Sequence, residues 1–359
     1  MTRDELEKRN IGENLDALMC LDPRGYGVCR ILYAGCRAFT GEPVAMHAAE
    51  ALCRAIRPGD TVYILVGFVL LPHKVPEMDG SVSAMLLARA LVLAFGAKPV
   101  IVCPEDSVEA FKHCGSVVGL HVYEDLDTAL ALPLSLGLAA FTKDIAAAPA
   151  QAKMLADRYP PAAVISVEAC GANTKGVYHN AVGCDVTALE AKSDVLWQEL
   201  CARGVTNVAI GDLGNEVGMG TLAGHIQKYV PFTGPGECRC GCGGGTLAAT
   251  CADNVITATC SDWGCYALMA ALAYLKKDMN ILHREEMESE VMRVLSRNGM
   301  IDMTGSLLPG VDGFDTRMNV SIVSLMRQCT GYAVRFSHNS DHWFGPVLEK
   351  GFFEEGTAL

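Results

Sequence analysis

Acidic residues recur just past the apolar runs of this chain. Glu77 and Asp79 follow the run at 60–68, and Glu168 closes the run at 162–167. Asp212 and Glu216 follow 205–210, and Asp262 comes just after 254–259. If these runs are parallel strands, the acids share one sheet edge, the edge where open α/β folds bind ligands. Converging carboxylates must be neutralised by a cation or take up protons. A divalent metal, Mg2+ or Mn2+, is the simplest answer, with Asp79, Asp212 and Glu216 as ligands. The bland alternative is that such acids are solvated or cap helices, and a net charge of −12 makes chance clustering common.

The sharpest stretch is Gly211 to Gly220, G-D-L-G-N-E-V-G-M-G, where Asp212, Asn215 and Glu216 sit among four glycines. Acidic and amide oxygens in such a turn suit a hard cation or a donor-rich substrate better than a phosphate. The spacing is not G-x-G-x-x-G, and the two acids would repel a pyrophosphate. A helix-capping turn without function is the alternative reading.

Other signals are weaker. Cys238-x-Cys240-x-Cys242 is a candidate metal knuckle, but its spacing departs from paired C-x2-C and no histidine lies close in sequence. Cys251, Cys260 and Cys265 are its candidate fourth ligands. The competing reading is a loop of reduced thiols. His179 and His225 lie near the expected cleft, although a lone histidine is more often structural. Trp263 beside Asp262 suits a pocket lining or a core junction. Thr142-Lys143-Asp144 has no interpretable context.

These residues need a scaffold, and the chain can build one. Its 359 residues are half hydrophobic, with mean hydropathy +0.24, enough for one large domain or two ordinary ones. A pI of 5.2 argues against nucleic acid and anionic membranes as partners. The charged start lacks an apolar signal core, and no run makes a clean membrane span. Sixteen cysteines, mostly single and in apolar surroundings, suit a reducing cytoplasm. The expectation is a cytoplasmic protein acting on a small molecule, with self-association suggested by its apolar helices.

Periodicity predicts helices at 3–20, 43–56, 81–95, 107–114, 150–158, 187–203, 216–229, 266–277, 283–298 and 316–330. Strands are expected at 60–68, 99–103, 121–123, 162–167, 205–210, 246–250 and 254–259, with 125–145 ambiguous. The alternation predicts a three-layer α/β fold with a mainly parallel sheet and a ligand cleft at the carboxyl ends of the strands. Residues 10–330 form this domain, as one body or two lobes split near 140–160, and 331–359 are a C-terminal extension.

Taken in order, V-G-F…P-E-M-D-G-S (66–81), V-E-A-C-G (167–171), G-V-Y-H-N-A-V-G-C-D-V-T (176–187), G-D-L-G-N-E-V-G-M-G (211–220), C-S-D-W-G-C-Y-A-L (260–268) and T-G…V-D-G (304–313) resemble the C-terminal domain of the D-glutamate cyclase family. The family pattern has Arg where this chain has Ala169, Gly at Leu213 and Asn at Asp262. The missing arginine bears on the substrate more than on the fold. The resemblance implies a lyase that interconverts D-glutamate and 5-oxo-D-proline plus water. It places Asp212, Glu216 and Glu168 in catalysis. It places Asp79, Gly80, Ser81, Tyr178, Gly214, Asn215, Gly218, Asp262, Trp263 and Asp312 around the substrate. Two other classes share the acidic cleft. One is a metal-dependent hydrolase of phosphate esters, for which only Lys74, Lys175 and His179 are nearby basic groups. The other is a non-catalytic small-molecule or metal-binding protein.

Overall fold

The computed structural model describes residues 1–336 and 341–353. Seven strands form one parallel sheet: β1 (Thr61–Gly67), β2 (Lys98–Pro104), β3 (His121–Tyr123), β4 (Ser135–Phe141), β5 (Ala163–Ala169), β6 (Thr206–Gly211) and β7 (Asn254–Thr257). Their spatial order is β3-β4-β2-β1-β5-β6-β7, and every pairing is parallel. β1, β2 and β5 are buried almost throughout. That burial on both faces is why they read as continuous apolar runs rather than as alternating ones.

Helices cover the sheet: α1 (Arg3–Met19), α2 (Val28–Thr40), α3 (Val44–Ala55), α4 (Ser81–Phe95), α5 (Val108–Val118), α6 (Leu126–Ala131), α7 (Ala148–Arg158), α8 (Ser193–Ala202), α9 (Ala223–Tyr229), α10 (Ser261–Lys276), α11 (Glu285–Arg297), α12 (Thr316–Phe336) and α13 (Asp341–Glu349). Central among them is α10, buried over nearly its whole length and packed against α1, α3, α4 and α12. A helix that is apolar all round belongs in a core.

The chain runs from β1 to β2 on one side, and the next strand to join β1, on its other side, is β5. This reversal is a topological switch point, where a crevice opens beyond the carboxyl ends of β1 and β5. The expected three-layer parallel α/β architecture is thus present.

Several local expectations need correction. The helix expected at 216–229 is only α9, preceded by a 3-10 turn at Gly220–Leu222. The Glu216 side chain bonds its own loop's backbone, as described below, and holds it out of the helix. No strand forms at 246–250. That segment instead lies along the glycine-rich loop, with Ala248 N–H donating to the Gly214 carbonyl and Gly220 N–H to the Thr250 carbonyl. α8 starts at Ser193 rather than 187, and α10 starts at Ser261 rather than 266. The ambiguous stretch resolves into α6 and β4, and α2 was not anticipated. No helix among the described residues is long and apolar enough to cross a membrane.

Candidate active site

Five segments deliver buried acids to the switch-point crevice. The β1–α4 loop brings Glu77 and Asp79, β5 brings Glu168, one residue before its end, and the β6 loop brings Asp212 and Glu216. The 302–315 loop brings Asp312. α10 contributes Asp262. Carboxylate oxygens of Asp79, Asp212 and Asp312 lie within 4.8 Å of one another, as do those of Glu168, Asp212 and Glu216. Asp212 is the residue the two groups share.

The acids differ in what already holds them. Glu216 is fully buried, and its carboxylate accepts the N–H groups of Asp212 (3.2 Å), Leu213 (2.9 Å) and Gly214 (2.7 Å). The glycine-rich turn is therefore wrapped around its own glutamate. Gly218 completes it at φ +92, where a Cβ would meet the Ala209 Cβ at 2.3 Å. Asp79 accepts N–H bonds from Gly80, Asp262 and Ser261 and so caps α10. Asp262 accepts from Gly80 and Ser83 and caps α4 in return. These reciprocal caps match carboxylates to the positive ends of two helix dipoles. Among the described residues, no hydrogen bond engages the carboxylates of Asp212 or Glu77, and of these two only Asp212 belongs to both close oxygen groups.

Burial drives the electrostatics. It pushes Asp212 well above the ordinary carboxylate range, with Glu168 and then Asp312 adding to the effect. Glu168 is pushed up by burial and by Glu216, and Glu77 by burial and by Asp79. Asp79 is raised to about 6, held down by the N–H groups it accepts. Asp312 rises to about 8 through burial and Asp79, although Arg24 pulls against the shift. Without a cation, the cluster keeps protons at neutral pH.

Glu168 carries the clearest backbone strain. Its φ is +47, and the β1–β5 register slips beside it. A non-glycine residue in the left-handed region costs of order 1–3 kcal/mol and tends to mark functional sites. Its carboxylate accepts the Ser261 hydroxyl at 2.5 Å. Gly80, at φ +72, lets the α4 turn approach, since a Cβ there would meet the Glu168 Cβ at 2.5 Å. Asp312 is also left-handed, at φ +54, but with Gly313 at φ +80 it forms the Asp-Gly turn of a small hairpin, Gly310–Val311 against Phe314–Asp315. That conformation is ordinary turn chemistry.

The remaining predicted residues take supporting places. The Ser81 hydroxyl donates to the Glu77 carbonyl. Trp263 is buried, donates to Asn319 at 2.7 Å and stacks on Phe314. The Tyr178 hydroxyl donates to Asp194 at 2.5 Å. Asn215 donates to the His179 carbonyl, while its Oδ1 is buried without a partner. His225 bonds the Ile31 carbonyl, away from the acids. Cavities lined by Arg89, His283 and Arg327, or by Lys143, Thr187 and Lys192, contain none of the cluster's acids.

Sequence reasoning missed the site's cation. Arg24, in the stretch between the helices expected at 3–20 and 43–56, donates to Asp312 Oδ2 at 2.6 Å and to the Thr259 carbonyl at 2.7 Å. Asp312 and Asp212 both act on its charge. The contact spans 288 residues of chain, so no local pattern announced it.

Fold and site together define a parallel α/β protein with an acid-lined crevice at its switch point. Within that class, the chain belongs to the D-glutamate cyclase-like, C-terminal family, whose model matches residues 15–327. No curated protein matches it.

Proposed function

We propose that this chain interconverts D-glutamate and 5-oxo-D-proline plus water. The observation that carries the reading is the buried acid cluster centred on Asp212, in a chain of this family. In the forward direction the substrate nitrogen bonds to the side-chain carboxyl carbon, and one C–O bond of that carboxyl breaks. Two protons leave the nitrogen and end on the departing oxygen as water. An ionised carboxylate must take the first proton, because only the neutral amine attacks. A protonated acid must supply the leaving oxygen. In this proposal Asp212, ionised once a cation or the nearby Arg24 guanidinium offsets the cluster's charge, is the proton acceptor, and Glu168, held protonated by burial, is the donor. Arg24 takes the substrate α-carboxylate, the role that the arginine replaced by Ala169 would otherwise fill. The buried, unpartnered Asn215 Oδ1 orients the ammonium.

The donor set also fits a hard divalent cation. Asp212 and Asp312, with Asp79, are all-oxygen ligands of the kind that hold Mg2+ or Mn2+. Bound there, the cation would neutralise the cluster and polarise the substrate carboxyl.

Chiral product analysis tests the proposal. Purified protein is incubated with D-glutamate, L-glutamate and each 5-oxoproline enantiomer, with and without Mn2+. Conversion confined to the D pair is expected. No conversion of any of the four would refute the reaction, and equal conversion of both enantiomers would refute its stereochemistry.

A further inference from the structure

One cluster of chemically capable side chains plays no part in the proposed reaction. Cys238, Cys240 and Cys242 stand on the 231–251 loop. The β5–α8 loop, coming from some sixty residues earlier in the chain, places His179 against them. We propose that these four residues bind a structural zinc ion as a tetrahedral Cys3His site that clamps the two loops together beside Asn215.

The distances carry the inference. Cys238 and Cys242 Sγ are 3.4 Å apart, and Cys240 and Cys238 Sγ are 3.7 Å apart. His179 Nε2 is 3.1 Å from Cys240 Sγ and 3.6 Å from Cys242 Sγ. All four ligand atoms fall within 4.8 Å of one another. With Zn–S near 2.3 Å and Zn–N near 2.05 Å, a tetrahedral site has S···S edges of about 3.8 Å and S···N edges of about 3.6 Å. The four atoms already stand close to those corners. No disulfide joins the sulfurs, and every cysteine is a free thiol.

The surroundings suit thiolates. Cys242 N–H points to Cys240 Sγ at 3.4 Å, and Gly244 N–H to Cys242 Sγ at 3.4 Å. The Asn173 amide adds a third donor, 3.3 Å from Cys242 Sγ. Soft sulfur with imidazole selects zinc over the hard cations that suit the carboxylate crevice. Cys251, Cys260 and Cys265 do not belong to this group. Cys260 caps α10, and Cys265 faces the Ser83 carbonyl.

The clamp reaches the active site through one residue. The His179 carbonyl accepts Asn215 Nδ2 at 3.0 Å, and Gly183, four residues on, accepts the N–H groups of Arg239 and Cys240. Metal binding would therefore fix the strip that positions Asn215 beside Glu216. His179 and the cysteines are positioning residues in this account.

This inference does not rest on the proposed reaction, and its test reads metal rather than turnover. Full-length protein purified without chelator is passed through gel filtration, and its metals are measured by mass spectrometry. One zinc per chain is expected. Replacement by Co2+ should give thiolate-to-cobalt charge-transfer bands and the visible bands of tetrahedral coordination. The double variant Cys238→Ser/Cys242→Ser should lose the zinc, and Asp212→Asn should keep it. If the double variant does not fold, titrating wild-type thiols with an organomercurial should release the zinc stoichiometrically. Absence of zinc, retention of zinc by the folded double variant, or loss of zinc on Asp212→Asn alone would overturn the proposal. So would an intact mass showing a disulfide among these cysteines.

Discussion

The carboxylate crevice and the cysteine–histidine corner are joined through Asn215, yet they are built in opposite ways. The crevice draws hard oxygen donors from separate elements, and burial pushes Asp212 and Glu168 above the ordinary carboxylate range. Its central acid, Asp212, accepts no hydrogen bond among the described residues, and Glu168 sits on strained backbone. The corner draws soft donors from two loops, and its sulfurs already accept N–H groups. The difference teaches a division of labour. A site that must react keeps free oxygens and unsettled protons, whereas a site that must hold a shape engages its donors beforehand.

Asp212→Asn breaks the comparison most severely. It preserves volume but removes the proposed proton acceptor and the acid the two oxygen groups share. A fall in turnover of at least about 100-fold is expected, with circular dichroism unchanged. Gly80→Ala comes next. The added methyl would clash with Glu168 in a backbone conformation that disfavours alanine. Roughly 2–4 kcal/mol of stability should be lost, read as a lowered urea midpoint.

Removing metal from the corner should do less. If it acts only by positioning Asn215, activity should drop about tenfold, mostly as a raised KM, with the pH profile unmoved. A shifted pH profile would mean that the corner takes part in the chemistry.

A further effect, read on stability rather than on turnover, is pH dependence. Burial raises Asp79 to about 6 and Asp312 to about 8 in the folded chain. Both lie above an unfolded carboxyl, so the folded state binds more protons across that window, and stability falls as pH rises from about 4 to 8. Melting temperatures should therefore decline from pH 5 to 8. Mn2+ should flatten the decline by replacing the lost protons with a cation. The same slope with and without Mn2+ would detach the crevice from metal binding.

Much of the crevice was legible because it follows a rule of strand ends. The acids at 77, 79, 168, 212 and 216 were placed by asking which residues follow apolar runs, and the sheet order brings those ends together. Local order could not reveal that Asp79 and Asp262 cap each other's helices. That depends on α4 and α10 lying side by side, 182 residues apart in sequence. Arg24 and His179 were missed as partners for the same reason. The helix expected at 216–229 failed because Glu216, which reads as a good helix former, is spent on its own loop's N–H groups.

The most direct test of the central claim is a proton NMR time course of D-glutamate with wild-type protein and Asp212→Asn side by side. The account predicts 5-oxo-D-proline signals that grow with wild type and are nearly absent with the variant. Equal rates for a folded Asp212→Asn would contradict the claim that the crevice reacts through Asp212.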